Sequence, residues 1–286
     1  MTDLKRVRSI HKVSSGFIYK IFYSHIEVKL RERRDGFKWP EVLGIDEHFF
    51  RRGQGFSEFV TVFTDIKKKR LFEVALGKNT KTLIEQIGEI PGRENVKIVA
   101  IDMSKTYRSL IKQMFPNAKI VADKFHVLRL ITPALIKRRK DIHGHRQDLR
   151  TRRQLLRNRM KLDYFERSDI DRYLKDHPEL DELYRWKERL HEFYRTKGIK
   201  RAERAYQVMM DGMSKSSSEP VQKLMKTFRT WKEEILGYFE NSITNAFTEQ
   251  TNNRGKLVQK RGYGYKSFRN YRLRILSACL YSGCAL

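Results

Sequence analysis

Apolar positions along the chain follow two rhythms, and the change between them predicts where strands give way to helices. Short apolar runs typical of strands recur five times in the first 122 residues. The strands are predicted at residues 42–50, 58–66, 71–76, 96–101 and 118–122. Helical spacing predicts one helix after the third strand, capped by Thr80, and another after the fourth, capped by Ser104.

Three hairpin-linked strands followed by helix, strand, helix and strand is the order of an RNase H-like fold. This predicts an α/β protein with a mixed sheet in which the first strand is central and the fourth lies beside it. Helical spacing then dominates from about residue 129 to residue 240. We read that region as an all-helical insertion before the final helix of the catalytic fold. Residues 9–28 carry helical spacing as well, broken near Ser14.

The charge of the chain indicates what it binds. Its 286 residues contain 61 Lys and Arg against 34 Asp and Glu, a net charge of +27. Such an excess favours nucleic acid, although an anionic membrane would attract it too. No run approaches 18 apolar residues and the N-terminus lacks a signal-peptide core, so we expect a cytoplasmic protein without a membrane association. Cys279 and Cys284 are expected to be reduced thiols, too few for a zinc ribbon or a disulfide framework.

Two acidic residues end strands that otherwise read as buried. Asp46 closes the apolar run of the first strand and Asp102 closes that of the fourth, and neighbouring strands lie about 4.8 Å apart. With Glu249 as third carboxylate, the set would hold two Mg²⁺ or Mn²⁺ ions, because hard cations prefer oxygen ligands. Asp46 would bridge both ions. The alternative is that each aspartate only caps the segment that follows it.

Two further acidic residues compete for this site. Asp123 ends the fifth strand, one strand farther from Asp46, so we predict a second-shell or substrate-facing role for it. Glu47 follows Asp46 directly and must point to the opposite face of the sheet, which argues against it as a ligand.

Glu249 lies on a predicted helix with amides and cations at helical spacing. Asn252, Asn253, Lys256 and Lys260 share one face with it, an arrangement suited to a phosphate backbone. An ordinary solvated helix face is the alternative.

Two basic stretches are candidates for DNA contact. Residues 137–159 contain ten Lys or Arg, and residues 256–274 interleave cations with aromatic rings. The predicted DNA-binding residues are Lys137, Arg138, Arg139, Lys140, Arg152, Arg153 and Arg261. A solvated helix face is the alternative for the first stretch. In the second, base stacking and core packing remain equally open for the aromatic rings. His143 and His145 indicate a metal pair only weakly.

Several short motifs occur in a characteristic order. They are Gly44-Ile45-Asp46-Glu47, Ile101-Asp102-Met103-Ser104 with Tyr107, Pro116-Asn117-Ala118, Asp123-Lys124-Phe125-His126, Glu249-Gln250-Thr251-Asn252-Asn253 and Lys260-Arg261-Gly262-Tyr263-Gly264-Tyr265. This ordered set resembles the DDE transposases of the bacterial ISL-three group, from about residue 40 to residue 276.

The resemblance implies an RNase H-like catalytic domain with a helical insertion, and cleavage of transposon ends followed by strand transfer with a divalent metal. It places the acidic triad on Asp46, Asp102 and Glu249. It also places His126 in the family's Phe-His pair, with a packed side chain and a DNA contact as alternatives. Double-stranded DNA, as transposon ends and as target, is the implied partner, and a homo-oligomer is expected on DNA.

The front of the chain departs from the family pattern. Members of the family usually begin with a zinc ribbon and a helix-turn-helix, and no cysteine lies in that region here. We expect a remnant helix-turn-helix-like segment at 1–39, with Ser15–Tyr23 as its second helix. The remaining domains are predicted as catalytic core at 40–128, insertion at 129–240 and the final part of the core at 241–286. A structure-selective nuclease and an inactive, truncated DNA-binding regulator are the alternative functions.

Overall fold

A computed structural model of the chain describes residues 4–53, 56–144 and 149–281. The strands are β1 (Val42–Gly53), β2 (Phe56–Asp65), β3 (Arg70–Leu76), β4 (Ile98–Ile101) and β5 (Lys119–Ala122). The helices are α1 (Leu4–His11), α2 (Ser15–Arg33), α3 (Thr80–Ile87), α4 (Lys105–Met114), α5 (Lys124–Arg129), α6 (Thr132–His143), α7 (Leu149–Leu156), α8 (Tyr164–Lys175), α9 (Pro178–Phe193), α10 (Ile199–Ser214), α11 (Glu219–Thr230), α12 (Lys232–Asn241), α13 (Ala246–Arg261) and α14 (Phe268–Tyr281). Two short 3₁₀ helices lie at Arg93–Asn95 and Arg159–Lys161.

The five strands form one mixed sheet in the order β3-β2-β1-β4-β5. Strands β1, β2 and β3 pair antiparallel, whereas β1 and β4 run parallel. The central position of β1, with β4 beside it, confirms the predicted α/β, RNase H-like fold class.

Three local predictions were wrong. Helix α2 continues ten residues beyond Tyr23 because Ile26 and Leu30 are buried on one face of the sheet. Strand β1 runs beyond its predicted end at residue 50 to Gly53, since its pairing with β2 continues past a bulge after Phe49. The N-cap of α3 is Asn79, whose side chain accepts from the Lys81 amide, and not Thr80. The expected cap of α4 is confirmed, because Ser104 accepts from the Tyr107 amide.

The chain divides into two compact units, residues 1–118 with 245–286 and residues 119–244. In the first unit, one face of the sheet buries apolar residues of α2 and α14 against β1, β2 and β3. Its other face carries an aromatic cluster in which Trp39 lies against Phe63, Phe72 and Phe115. The four segments drawn from the sequence, at 1–39, 40–128, 129–240 and 241–286, stay a prediction.

The second unit joins β5 to helices α5–α12. Helix α12 packs on β5 so closely that a Cβ at Gly237 would lie 3.3 Å from the carbonyl oxygen of Ile120. Trp186 and Trp231 are buried, as expected for core residues of a helical insertion. Every helix in the described part of the chain is too short or too polar to cross a lipid bilayer.

A buried carboxylate ties three elements of the first unit together. Glu73 in β3 accepts from Arg272 of α14, with Nε–Oε1 and Nη2–Oε2 distances of 2.8 and 2.6 Å. Arg34, at the end of α2, lies 2.7 Å from the same carboxylate. Burial raises the pKa of Glu73, but the hydrogen bond from Arg272 and the charge of Arg34 outweigh it, so the pKa lies below its usual value.

We expect Glu73→Gln to destabilise the protein by about 3 kcal/mol at pH 7, because it removes the buried counter-charge of two half-buried guanidinium groups. A carboxyl with a lowered folded-state pKa stabilises the fold above its unfolded pKa of about 4.3. That contribution is lost as pH falls through the folded-state pKa, so the gap between variant and wild type should shrink in acid. Urea unfolding at pH 7 and at successively lower pH values measures both effects.

The matched control is Glu219→Gln in the exposed Lys223–Glu219 pair, which should leave stability essentially unchanged. A Glu73→Gln penalty that stays constant with pH would contradict this account of the ion pair.

Candidate active site

Asp46 and Asp102 occupy equivalent positions on neighbouring parallel strands. The register pairs Val42 with Ile98 and Gly44 with Ala100, and each aspartate lies two residues beyond the second pair. Both side chains are half-buried. Since paired strands lie about 4.8 Å apart, the two carboxyl groups come from neighbouring positions at the same end of β1 and β4.

Helix α13 crosses β1 through a row of hydrogen bonds. The Asn245 amide donates to the carbonyl of Ile45 at 2.9 Å, and the hydroxyls of Thr248 and Thr64 lie 2.6 Å apart. Farther along, Asn252 Nδ2 donates to Asp46 Oδ2 at 2.7 Å. The helix therefore follows the strand with polar side chains turned towards it.

Glu249 is held beside this row. Its amide donates to the carbonyl of Asn245 at 3.0 Å, and at about 3.6 residues per turn it lies one turn from both Asn245 and Asn252. Those two side chains bind Ile45 and Asp46 of β1. The half-buried Glu249 therefore lies on the side of α13 that borders the end of the apolar run in β1.

The three carboxylates match the chemistry of a hard divalent cation, which takes oxygen ligands. Asp46 Oδ1 accepts from the Glu47 amide at 2.9 Å, and Oδ2 accepts from the Asn252 side chain at 2.7 Å. Within the described residues, the ligand atoms of Asp46, Asp102 and Glu249 do not all lie within 4.8 Å of one another. The backbone thus brings Asp46, Asp102 and Glu249 to the same region, but their oxygen atoms are not all close enough to share one metal ion.

Glu47 faces away from α13, as strand alternation requires. It is paired across the sheet with Thr61, whose hydroxyl lies 3.2 Å from the Tyr107 hydroxyl on α4. Burial raises the pKa of Tyr107, and the negative charge of Glu47 raises it further. Glu47 therefore interacts with α4, on the face of the sheet opposite Asn252.

Asp123 and His126 lie in the second unit, where they bind each other. Asp123 is fully buried and caps α5 by accepting from the His126 amide at 3.3 Å. His126 Nδ1 lies 3.0 Å from Asp123 Oδ2. Burial and the charge of Asp123 raise the pKa of Tyr194 well above its usual value. The second-shell or DNA-facing role of Asp123 and His126 stays a prediction.

The predicted polar face of α13 divides in two. Asn252 is buried and turned towards β1, whereas Asn253, Lys256, Lys260 and Arg261 are exposed. The aromatic rings that follow divide as well. Tyr271 is buried in the core and Tyr263 is fully exposed, so core packing accounts for the first and not for the second.

The predicted DNA-binding residues of the helical unit differ in accessibility. Lys137, Lys140, Arg152 and Arg153 are exposed, although Arg153 pairs with Glu166. Arg138 is half-buried and pairs with Glu179. Arg139 is only 3% exposed, so we remove it from the candidate DNA surface, because a buried guanidinium cannot reach a phosphate.

Of the two histidines that weakly indicate a metal pair, His143 and His145, the structure describes only His143. His143 Nε2 lies 2.7 Å from the Tyr173 hydroxyl. His145 lies outside the described residues.

Sequence reasoning missed one residue of this region altogether. His48 is buried, with Nδ1 3.0 Å from Asn252 Oδ1 and Nε2 2.7 Å from the Tyr271 hydroxyl. Burial lowers its pKa, which favours the neutral ring. The available signal was its position two residues after Asp46, since alternate residues of a strand share a face.

Two comparisons with known proteins bear on the family of the chain. The family model of the ISL-three-group DDE proteins, described as "Transposase", matches residues 43–275. Among curated proteins, the chain is similar to the "Transposase for insertion sequence element IS1001" of Bordetella parapertussis, with 24% identity over 249 residues. That match covers 83% of this chain and 61% of the relative, so the chain spans less than two thirds of that protein's length.

The close approach of α13 to β1 predicts a sensitive position at Gly44. A Cβ there would overlap Thr248 Oγ1 and lie 2.6 Å from Asn245 Oδ1 and 2.7 Å from Thr64 Oγ1. We expect Gly44→Ala to destabilise the protein by about 1–3 kcal/mol or more, because the helix must move away from the strand. Chemical denaturation measures the loss.

Gly16→Ala is the control, since a Cβ at that exposed helical position meets nothing within 4 Å. Its effect should be neutral or stabilising by at most about 1 kcal/mol. Equal stability of the Gly44→Ala variant and the wild type would show that the seam between α13 and β1 is looser than described.

Proposed function

Because this chain belongs to the DDE transposase family of the ISL-three group, we propose that it cleaves the ends of a mobile DNA element and joins them to target DNA. The observation that carries the proposal is the placement of three carboxylates in one unit. Asp46 and Asp102 lie at the same level of adjacent parallel strands, and the helix that carries Glu249 is hydrogen-bonded to the first of them.

In this proposal Asp46, Asp102 and Glu249 would hold the divalent cations, Mg²⁺ or Mn²⁺, two per site. Bound ions of this kind activate the attacking oxygen and stabilise the leaving oxygen in a phosphodiester displacement. The contribution of the chain is to fix the carboxylates and to position the DNA backbone beside them, so that cleavage and joining use one site.

The proposed substrate is double-stranded DNA, first as element ends and then as target. A net charge of +27 attracts a polyanion. Helix α13 also carries exposed cations, on the C-terminal side of Glu249. Lys256, Lys260 and Arg261 follow Glu249 along that helix. Joining two ends to one target calls for more than one active site, so we propose a homo-oligomer on DNA, acting in the cytoplasm.

We expect Asp46→Asn, Asp102→Asn and Glu249→Gln each to reduce end cleavage and strand transfer by roughly a thousandfold or more. Each change removes a charge that would hold the cations, and electrostatic stabilisation is usually the largest single catalytic contribution. DNA affinity should change little. The measurement uses labelled element ends in Mn²⁺, with cleavage and joining scored on the same gel.

The control is Asp35→Asn, the same chemical change in an exposed turn before β1, which should retain wild-type activity. Joining should also proceed from pre-cleaved ends that carry a 3′ hydroxyl. A wild-type chain that cuts but never joins would identify a nuclease, and triad variants with full activity would overturn the proposal.

We further expect the double substitution Lys137→Gln with Lys140→Gln to weaken DNA binding and to lower its salt dependence. Both lysines are exposed on α6, and each lost phosphate contact should reduce the slope of log affinity against log salt by roughly 1. Fluorescence anisotropy on a random-sequence duplex across a salt series measures the slope.

Lys223→Gln serves as the control, because that lysine is paired with Glu219 on α11. Its slope should match the wild type. An unchanged slope for the double variant would remove α6 from the DNA surface.

A further inference from the structure

A chain of hydrogen bonds runs from Asp46 into the core of the first unit. Asn252 Nδ2 donates to Asp46 Oδ2 at 2.7 Å, and Asn252 Oδ1 lies 3.0 Å from His48 Nδ1. On the far side of the ring, His48 Nε2 lies 2.7 Å from the Tyr271 hydroxyl. The buried side chains of Asn252, His48 and Tyr271 thus form a linear series of hydrogen bonds that leads to the half-buried carboxylate of Asp46.

The direction of each bond is fixed by the first. The Asn252 amide nitrogen donates to Asp46 and, at 3.2 Å, to the carbonyl of Glu47, so its oxygen must be an acceptor. His48 therefore carries its proton on Nδ1 and donates it to Asn252. Nε2 is then an acceptor, and it receives the hydroxyl proton of Tyr271. Only one tautomer of His48 satisfies both of its partners, Asn252 and Tyr271.

The hydrogen-bonded side chains are also confined by steric contacts. A Cβ at Gly255 would lie 2.7 Å from the Tyr271 hydroxyl and 3.0 Å from His48 Cε1, so α13 needs a glycine where it passes these groups. Tyr271 also packs edge-on against His48, with ring centroids 5.9 Å apart. Steric contact on one side and hydrogen bonds on the other leave the imidazole a single orientation.

We propose that His48, Asn252 and Tyr271 are positioning residues that hold the Asp46 carboxylate in the orientation in which it binds a divalent cation. The inference rests on the proposed function, because it takes Asp46 as a metal ligand. Partners that orient a ligating side chain typically contribute 10–100-fold to metal affinity or activity. The three residues act through Asp46 and have no contact with the cation themselves.

Two conservative substitutions of His48 separate positioning from packing. His48→Asn keeps a donor where Nδ1 lies, so it retains the bond to Asn252 and loses the one to Tyr271. His48→Gln places its amide where Nε2 lies, so it retains the bond to Tyr271 and loses the one to Asn252. Both replace the ring by an amide, and Asn is the smaller of the two, so a packing role alone would penalise His48→Asn at least as much as His48→Gln.

The experiment measures Mn²⁺ affinity of the full chain without DNA, by the loss of the free-ion signal in electron paramagnetic resonance. We expect His48→Asn to bind within about twofold of the wild type. His48→Gln and Asn252→Leu should bind about tenfold more weakly. Thermal unfolding of each variant establishes that it is folded at the temperature of the titration.

Tyr206→Phe is the matched control. It removes a buried hydrogen bond, from the Tyr206 hydroxyl to the carbonyl of Phe228, in the second unit and away from the carboxylates. We expect lower stability with unchanged Mn²⁺ affinity. Equal Mn²⁺ affinity in His48→Asn and His48→Gln, whether high or low, would overturn the positioning role.

A spectroscopic measurement on the metal-free protein tests the chain independently of metal binding. Nitrogen-15 shifts of the His48 ring should show the Nδ1-protonated tautomer in the wild type and lose that signature in Asn252→Leu. The opposite tautomer would overturn the inference. If the expected tautomer is found but Asp46→Asn leaves Mn²⁺ binding unchanged, the proposed function fails while the hydrogen-bonded chain stands, and positioning for a metal is excluded.

Discussion

The closeness of α13 to β1 at Gly44 is the constraint on which the rest of the site depends. No side chain separates the strand from the helix at that point, so Thr248 and Asn245 approach the backbone directly. Glu249 is the next residue after Thr248, and its position is set by the same contact. A bulkier residue at position 44 would move the third carboxylate away from the first two, whatever the sequence of the remaining chain.

Helices α13 and α14, on the same face of the sheet, are held by different forces. Helix α14 buries Tyr271, Leu273 and Ile275 in the apolar core, which fixes it through area removed from water. The buried residues of α13 are Thr248, Thr251, Asn252 and Gly255, none of them a large apolar side chain. Helix α13 is therefore placed by directional hydrogen bonds, which determine its rotation and height against β1 more closely than apolar packing does. Apolar packing secures the fold, and the polar seam secures the geometry of the site.

The sequence was sufficient for the sheet order and for placing Asp46 and Asp102 at the ends of neighbouring strands. Apolar runs mark the strands, and the charged residue after each run marks where the strand ends. It was insufficient wherever tertiary contact decides between equivalent helical positions. Asn252 was grouped with the solvent-facing Lys256, yet it is turned towards β1, and helical spacing alone cannot tell a helix flank from its buried face. Arg139 was read as one more cation of a basic run, although it lies four residues after the buried Leu135 and shares its face. The length of α2 was likewise set by burial of Leu30 and not by local signals.

In the proposed function, a protein with a large positive charge binds both an anion, the DNA backbone, and divalent cations. The two kinds of binding depend on charges at different distances from the site. At physiological ionic strength a charge is screened over roughly 8 Å, so exposed lysines beyond that range do little to repel a cation held among carboxylates. Within that range the balance is local, and Asp46, Asp102 and Glu249 contribute three negative charges at the edge of the sheet. The DNA backbone presents phosphates over a far longer span and responds to the excess of cations over the whole surface. Site and surface can therefore hold opposite potentials, provided that the three carboxylates close on the cations. The seam between α13 and β1 fixes the helix that carries Glu249 relative to Asp46.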